Sequence, residues 1–228
     1  MPAKIVFVNR FKHEYLPGHY YFITYRIINS ATKVLYRRRL KNLDEELEDL
    51  KKQPITEASR IRIITRKKQI KRINSRLKDP HYKPNLWLAL PQIRDVIKEN
   101  LHFNEGKFYD LAAYSIMPNH VHIILKPFEF HKMNIKYSPN LHKCPLSYTV
   151  YKIKRYSATM ANRILSREGQ FWREEYHSIL IENEEQFKNM IIYTLLNPVK
   201  GGLCKDKLNN PYNYLNPSYN SLLEICHV

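Results

Sequence analysis

Apolar and polar positions alternate along this chain with two different periods, and the alternation divides it into strands and helices. Residues 19–27, HYYFITYRI, are aromatic and β-branched with no helical period, which predicts a strand. Residues 107–117, KFYDLAAYSIM, and 120–125, HVHIIL, predict two more, joined by a turn at Pro118-Asn119. Residues 174–181, EEYHSILI, predict a fourth. Ile93, Val96, Ile97 and Leu101 recur at helical spacing behind Pro91, and residues 147–165 bring Val150, Ile153, Ala161 and Ile164 to one side of a second helix. Asn183 is placed to cap a third, with Glu184 and Glu185 in its first turn as the helix dipole favours, running to Asn197-Pro198. The order strand, helix, strand, strand, helix, strand, helix predicts an α+β sandwich of antiparallel strands with helices on one face, as a single domain over residues 1–228. From Lys205 onward the chain is rich in Asn, Pro and Tyr and predicts a loop.

One segment breaks the texture. Residues 37–79 are almost free of aromatics and dense in charge, with Leu43, Leu47 and Leu50 at helical spacing. Gln53-Pro54 interrupts the pattern, Thr56 is placed to cap a restart, and Ile63, Ile70, Ile73 and Leu77 form a second apolar stripe. This predicts a helical hairpin inserted in the domain. Its second arm carries Arg60, Arg62, Arg66, Lys67, Lys68, Lys71, Arg72 and Arg76 against Glu57. A solvated face and an arm that follows phosphates both fit that run.

Composition narrows the partner more than the fold. With 228 residues, 43% of them hydrophobic, the chain can bury a sizeable core, and its formal net charge of +17 attracts polyanions, nucleic acid first. A solvated basic surface without a specific partner is the plainer reading of the same charge. Cys144, Cys204 and Cys226 are few and far apart, which argues against a disulfide framework and fits a reducing cytoplasm. His142 and Cys144 lack the second pair that a zinc site requires. No apolar window is long enough to span a bilayer and no signal-peptide pattern opens the chain, so no membrane association is expected.

The candidate chemistry lies in residues 114–125, YSIMPNHVHIIL. Side chains alternate along a strand, so His120 and His122 project from one face about 7 Å apart. Two imidazoles so placed can share a metal ion, although packed or surface-satisfied histidines are the commoner outcome of this spacing alone. The last helix holds Tyr193 and Asn197 four residues apart, on a shared face beside an apolar stripe. A rim tyrosine and a C-terminal helix asparagine are ordinary. Taken with the histidines, they give a third ligand, Asn197, and a nucleophile, Tyr193. The other tyrosines offer no comparable partner: Tyr148, Tyr151 and Tyr156 have Lys152, Arg155 and Met160 four residues on, and Tyr212 has Asn216 in a proline-rich loop. A phenol, with a reference pKa near ~10, attacks well at neutral pH only when its target is polarised. A metal on the non-bridging oxygens of a phosphodiester supplies that polarisation, and the resulting phosphotyrosyl bond conserves the energy of the cut diester.

At these residues the chain resembles a known family. PNHVHIIL is similar to the HUH motif, YTLLNPVKGG to the tyrosine helix of the HUH single-tyrosine transposases, and GQFWREEYHSILI to the REP-associated tyrosine transposase branch, over residues 85–203 with HYYFITYRI as an extension. The resemblance implies a ferredoxin-like antiparallel sheet covered by helices, with His120 and His122 on its central strand and Mg²⁺ or Mn²⁺ as cofactor. It implies Tyr193 as the nucleophile that forms a 5′-phosphotyrosine and leaves a free 3′-OH. It also implies single-stranded DNA bearing hairpins as the partner, and a homodimer in some relatives. Relatives with Gln four residues after the tyrosine use it as a metal ligand; here Asn197, one methylene shorter, holds that position. Lys152, Lys154, Arg155, Arg163, Arg173 and Lys200 are the candidate DNA-binding cations. The competing reading is a non-catalytic single-stranded nucleic-acid-binding protein on an RRM-like sheet, with tyrosines stacking bases. It leaves the joint occurrence of the His pair and the Tyr193-Asn197 pair unaccounted for.

Overall fold

The computed structural model describes residues 5–8, 12–133, 143–206 and 210–224; His142 and Cys226 lie outside them. Its main elements are β1 (Ile5–Val8), β2 (Lys12–Tyr15), β3 (Tyr21–Ile27), α1 (Lys33–Lys52), α2 (Glu57–Lys78), α3 (Pro91–Asn104), β4 (Tyr109–Met117), β5 (His120–Pro127), α4 (Pro145–Ile164), β6 (Trp172–Leu180), α5 (Glu184–Lys200) and β7 (Asn213–Leu215). They form two units, residues 29–85 and the remainder of the chain.

In the larger unit five strands make one antiparallel sheet in the order β6-β3-β5-β4-β7. Without β7, the path β3-α3-β4-β5-α4-β6 with spatial order fourth, first, third, second is the ferredoxin-like arrangement, so the α+β class and the central position of β5 are both present. The two-residue turn at Pro118-Asn119 joins β4 to β5 as the sequence predicts.

Period-two alternation assigns the faces. Tyr21, Ile23, Tyr25 and Ile27 of β3 and Val121, Ile123 and Leu125 of β5 cluster with Ile93, Ile97 and Leu101 of α3 and with Leu146, Val150, Ile153 and Ala161 of α4. The intervening residues Phe22 and Ile124 meet Ile191 and Leu195 of α5 on the other side. Helices therefore cover both faces, which corrects the one-faced sandwich expected from element order: α5 has its own apolar stripe and takes the side that α3 and α4 leave open. Ile123 is fully buried in a central strand. Ile123→Ala is expected to cost about 2–5 kcal/mol, read as a lower urea midpoint with unchanged slope.

Three further differences from the sequence reading have local causes. The tail forms β7, three residues on the edge of β4, because Asn216 Nδ2 donates to Leu111 O and Asn216 N–H to Ala112 O, which hold it in register. Helix α5 continues through Pro198 to Lys200. Asn213 Nδ2 donates to the Leu195 carbonyl at 2.7 Å beside that proline, and Gly201 N–H closes on Asn197 O at 2.8 Å. The β1–β2 ribbon was not visible in the sequence; there His13 Nδ1 pairs with Ser178 Oγ of β6 at 2.9 Å.

The smaller unit is the helical hairpin. Thr56 caps α2 with a reciprocal box in which Ser59 N–H donates to Thr56 Oγ1 and Thr56 N–H to Ser59 Oγ. Leu43, Leu47, Leu50 and Ile73 are buried, and Arg66 Nε pairs with Glu46 Oε2 between the arms at 2.6 Å.

Candidate metal and nucleophile site

The site forms where β5 turns its polar residues to the α5 face. His120 and His122 share that face with Ile124, and the neighbouring strand aligns Arg26 with His120, Thr24 with His122 and Phe22 with Ile124. On the other flank Met117 stands opposite His120, and Ser115 opposite His122.

Hydrogen bonds orient both imidazoles and, for His120, decide which ring nitrogen carries the proton. The Asn119 Oδ1 acceptor lies 2.6 Å from His120 Nδ1, which places the proton on that nitrogen and leaves Nε2 bare. His122 Nδ1 bonds Thr24 Oγ1 at 2.8 Å. The two Nε2 atoms face each other at 3.0 Å. Asn197 is hydrogen-bonded to His122 through its side chain, and because its Nδ2 donates to Tyr193 O at 2.8 Å, Oδ1 is the atom left for the imidazole. The two Nε2 atoms and the Asn197 amide oxygen thus lie together, and a neutral His122 carrying its proton on Nε2 satisfies these contacts in the metal-free protein.

Electrostatics disfavour a second proton on either ring. Burial pushes the His120 pKa down to about 2, helped by His122 and then by Arg26. Burial, followed by Arg26, takes His122 to about 3 against the opposing Asn197 hydrogen bond. Both rings are therefore neutral at physiological pH, the form that ligates metal. Two neutral imidazoles and an amide oxygen fit a divalent ion. Among the described residues no group of three or more His, Cys, Asp and Glu could hold one, and the Asn197 amide is the oxygen donor that adjoins the pair.

The depressed values have a thermodynamic consequence. Below about pH 6.5 the unfolded imidazoles bind protons that the native pair refuses, so metal-free stability falls as pH drops toward the folded values of about 3 and 2. The slope is at most about 1.4 kcal/mol per pH unit for each ring. Urea titrations from pH 7 to 5 should show this decline in the wild type and a shallower one in His120→Ala.

Tyr193 stands on α5 against the same pair. Its ring meets His122 edge-on at 5.7 Å and Phe22 at 5.6 Å, Lys200 Nζ lies 5.8 Å from its centroid, and it is 43% exposed. His120, His122, Asn197 and Tyr193 are thus brought together from two separated stretches of sequence.

The six candidate DNA-binding cations separate. Lys200 adjoins Tyr193, and Arg173 at the start of β6 interacts electrostatically with Arg26. Lys152, Lys154, Arg155 and Arg163 lie on α4, across the sheet from the histidines. Lys154 Nζ donates to the backbone carbonyls of Arg173 and Glu174 at 2.7 and 2.6 Å, and Arg155 to the Tyr151 hydroxyl at 3.0 Å.

Two site residues escaped the sequence reading, Thr24 and Arg26. Their signal was present in FITYRI, where Thr24 and Arg26 are two polar residues at period two in an apolar strand. Thr24 orients His122, and Thr24→Val is expected to weaken Mn²⁺ binding about 10–100-fold in a metal titration, the usual effect of removing such a support.

Fold and site together define a ferredoxin-like α+β protein with a paired-histidine face and a tyrosine on the helix that covers it. Among solved structures the chain is similar to a REP-associated tyrosine transposase bound to a REP hairpin, at 14% identity and a TM-score of 0.47, with 90% of this chain and 82% of that one covered. No family model matches the chain, and no curated protein matches it. Among the described residues no helix is long and apolar enough to cross a membrane.

Proposed function

We propose that the protein is a metal-dependent tyrosine transposase, a DNA nickase and strand transferase that cuts and rejoins single-stranded DNA at hairpin-flanked sites. The observation that carries this reading is the convergence of His120 Nε2, His122 Nε2 and the Asn197 amide beside the Tyr193 ring. The family resemblance of PNHVHIIL and YTLLNPVKGG points the same way, and the formal charge of +17 suits a polyanionic substrate.

Each residue has a part. His120, His122 and Asn197 would hold Mg²⁺ or Mn²⁺, which when bound would supply Lewis-acid polarisation of a phosphodiester. Asn119 and Thr24 keep the imidazoles presenting Nε2 to the site. Tyr193 Oη attacks phosphorus; the Tyr–O–P bond forms, the P–O3′ bond breaks, and the departing 3′-oxygen ends as a hydroxyl with the proton that the phenol gives up to solvent. The reverse attack by a 3′-OH rejoins DNA and restores the phenol without a nucleotide cofactor. Phe22 and His122 buttress the Tyr193 ring edge-on, which limits its orientation.

The test is incubation of the full chain with hairpin-bearing single-stranded DNA and Mg²⁺ or Mn²⁺, followed by a denaturing gel. A DNA-sized shift of the protein band that chelator prevents is the expected result. Tight binding with intact DNA and no shifted band would favour the non-catalytic binder. Cut DNA with no protein attached would mean that water is the nucleophile.

A further inference from the structure

Among the described residues, Arg26 is a cation without a counterion on the site face. It stands opposite His120 in the β3–β5 register, and alternation sends its side chain to the face that holds His122 and Tyr193. It is neither fully buried nor exposed. Among the described residues, its electrostatic partners are the guanidinium of Arg173, of like charge, the phenol of Tyr193 and the neutral imidazoles of His120 and His122, with no carboxylate.

A guanidinium cannot shed its charge, and it carries five donors in a planar fork. Withdrawing it from water beside a second guanidinium is unfavourable unless an anion replaces the lost hydration. Among the described residues none of the chain's acidic side chains, of which the sequence has 21, is placed here. Two neutral imidazoles supply no anion either. The missing partner therefore comes with the substrate, and a fork of N–H donors matches the paired oxygens of a phosphate.

We propose that Arg26, seconded by Arg173, forms an oxyanion subsite that grips a non-bridging oxygen of the phosphodiester presented to Tyr193. The proposal rests on the reading of Tyr193 as a group that meets a phosphodiester. It adds a specific contact: Arg26 orients the phosphate and balances charge that builds on its oxygens during attack.

The probe is inorganic phosphate, titrated calorimetrically into the full-length protein and into Arg26→Met, Arg26→Lys, Arg173→Met and a charge-matched control, Lys98→Met on α3 across the sheet. Arg26→Met is expected to lose phosphate affinity about tenfold or more, Arg173→Met less, and Lys98→Met to match the wild type. Thermal unfolding separates a binding role from a structural one. Removing an unneutralised cation should leave Tm unchanged or higher, and Mn²⁺ affinity should be undiminished because a nearby like charge has gone.

Equal phosphate affinity in the wild type and Arg26→Met overturns the inference. So does an Arg26→Met that unfolds early or fails to fold while Arg26→Lys and Arg173→Met bind phosphate as the wild type does, since Arg26 is then structural. If phosphate affinity falls as expected and the wild type nonetheless forms no covalent adduct with DNA, the anion subsite stands and the transposase reading is what fails.

Discussion

Tyr193→Phe will bind hairpin-bearing single-stranded DNA as the wild type does and will form no covalent adduct with it. The substitution deletes one oxygen and keeps the ring, so the edge-on contacts with His122 and Phe22 survive. With the residue 43% exposed, no buried partner is orphaned, and stability should change by less than about 0.5 kcal/mol. The lost oxygen is the nucleophile, and cleavage should fall on the order of 10⁴-fold or more, as when other covalent catalysts lose theirs. Quantified denaturing gels and a binding isotherm on the same preparation check both halves. An adduct that persists in Tyr193→Phe removes Tyr193 from its assigned role.

His120→Ala and His122→Ala are expected to abolish the metal dependence of cleavage, and to differ in stability. Each leaves a single imidazole with the Asn197 amide, too few donors to fix an ion, and the lost Lewis acid is worth several kcal/mol, on the order of 10³-fold in rate or more. Only His122 is fully enclosed, at 4% exposure, and its Nδ1 partners the Thr24 hydroxyl. His122→Ala orphans that hydroxyl and opens a cavity, at about 1–3 kcal/mol. His120 is only partly buried, and His120→Ala should cost less. Calorimetric Mn²⁺ titration and urea denaturation of the two variants make the comparison. Retained metal affinity in both would show that the pair is a packing feature.

The parts of this site that were legible in the sequence are those set by local period. His-x-His on a strand fixes a shared face whatever the strand pairs with, and Tyr193 and Asn197 share a helix face by their spacing of four. The inserted hairpin was equally open, because Leu43, Leu47 and Leu50 mark one buried stripe and Thr56 caps the restart with its own side chain. What stayed hidden depends on pairing between distant segments. Thr24 and Arg26 become site residues only through the register that sets them against His122 and His120, nearly a hundred residues away. The same ignorance of faces let the basic residues of α4 and those near Tyr193 look equivalent, although the sheet lies between them. The three residues of β7 are too few to display a period, and their place is set by hydrogen bonds from Asn216 to β4.

The most direct test of the central claim is the site and polarity of the protein–DNA bond. Full-length protein is incubated with Mn²⁺ and hairpin-bearing single-stranded DNA, the adduct is digested with protease and nuclease, and the linked peptide is sequenced by mass spectrometry. The account predicts a nucleotide 5′-phosphate on the hydroxyl of Tyr193, with the other DNA product ending in a free 3′-OH. A bond to any other residue, a 3′-phosphate link, or cleavage that leaves both DNA ends free of protein would contradict it.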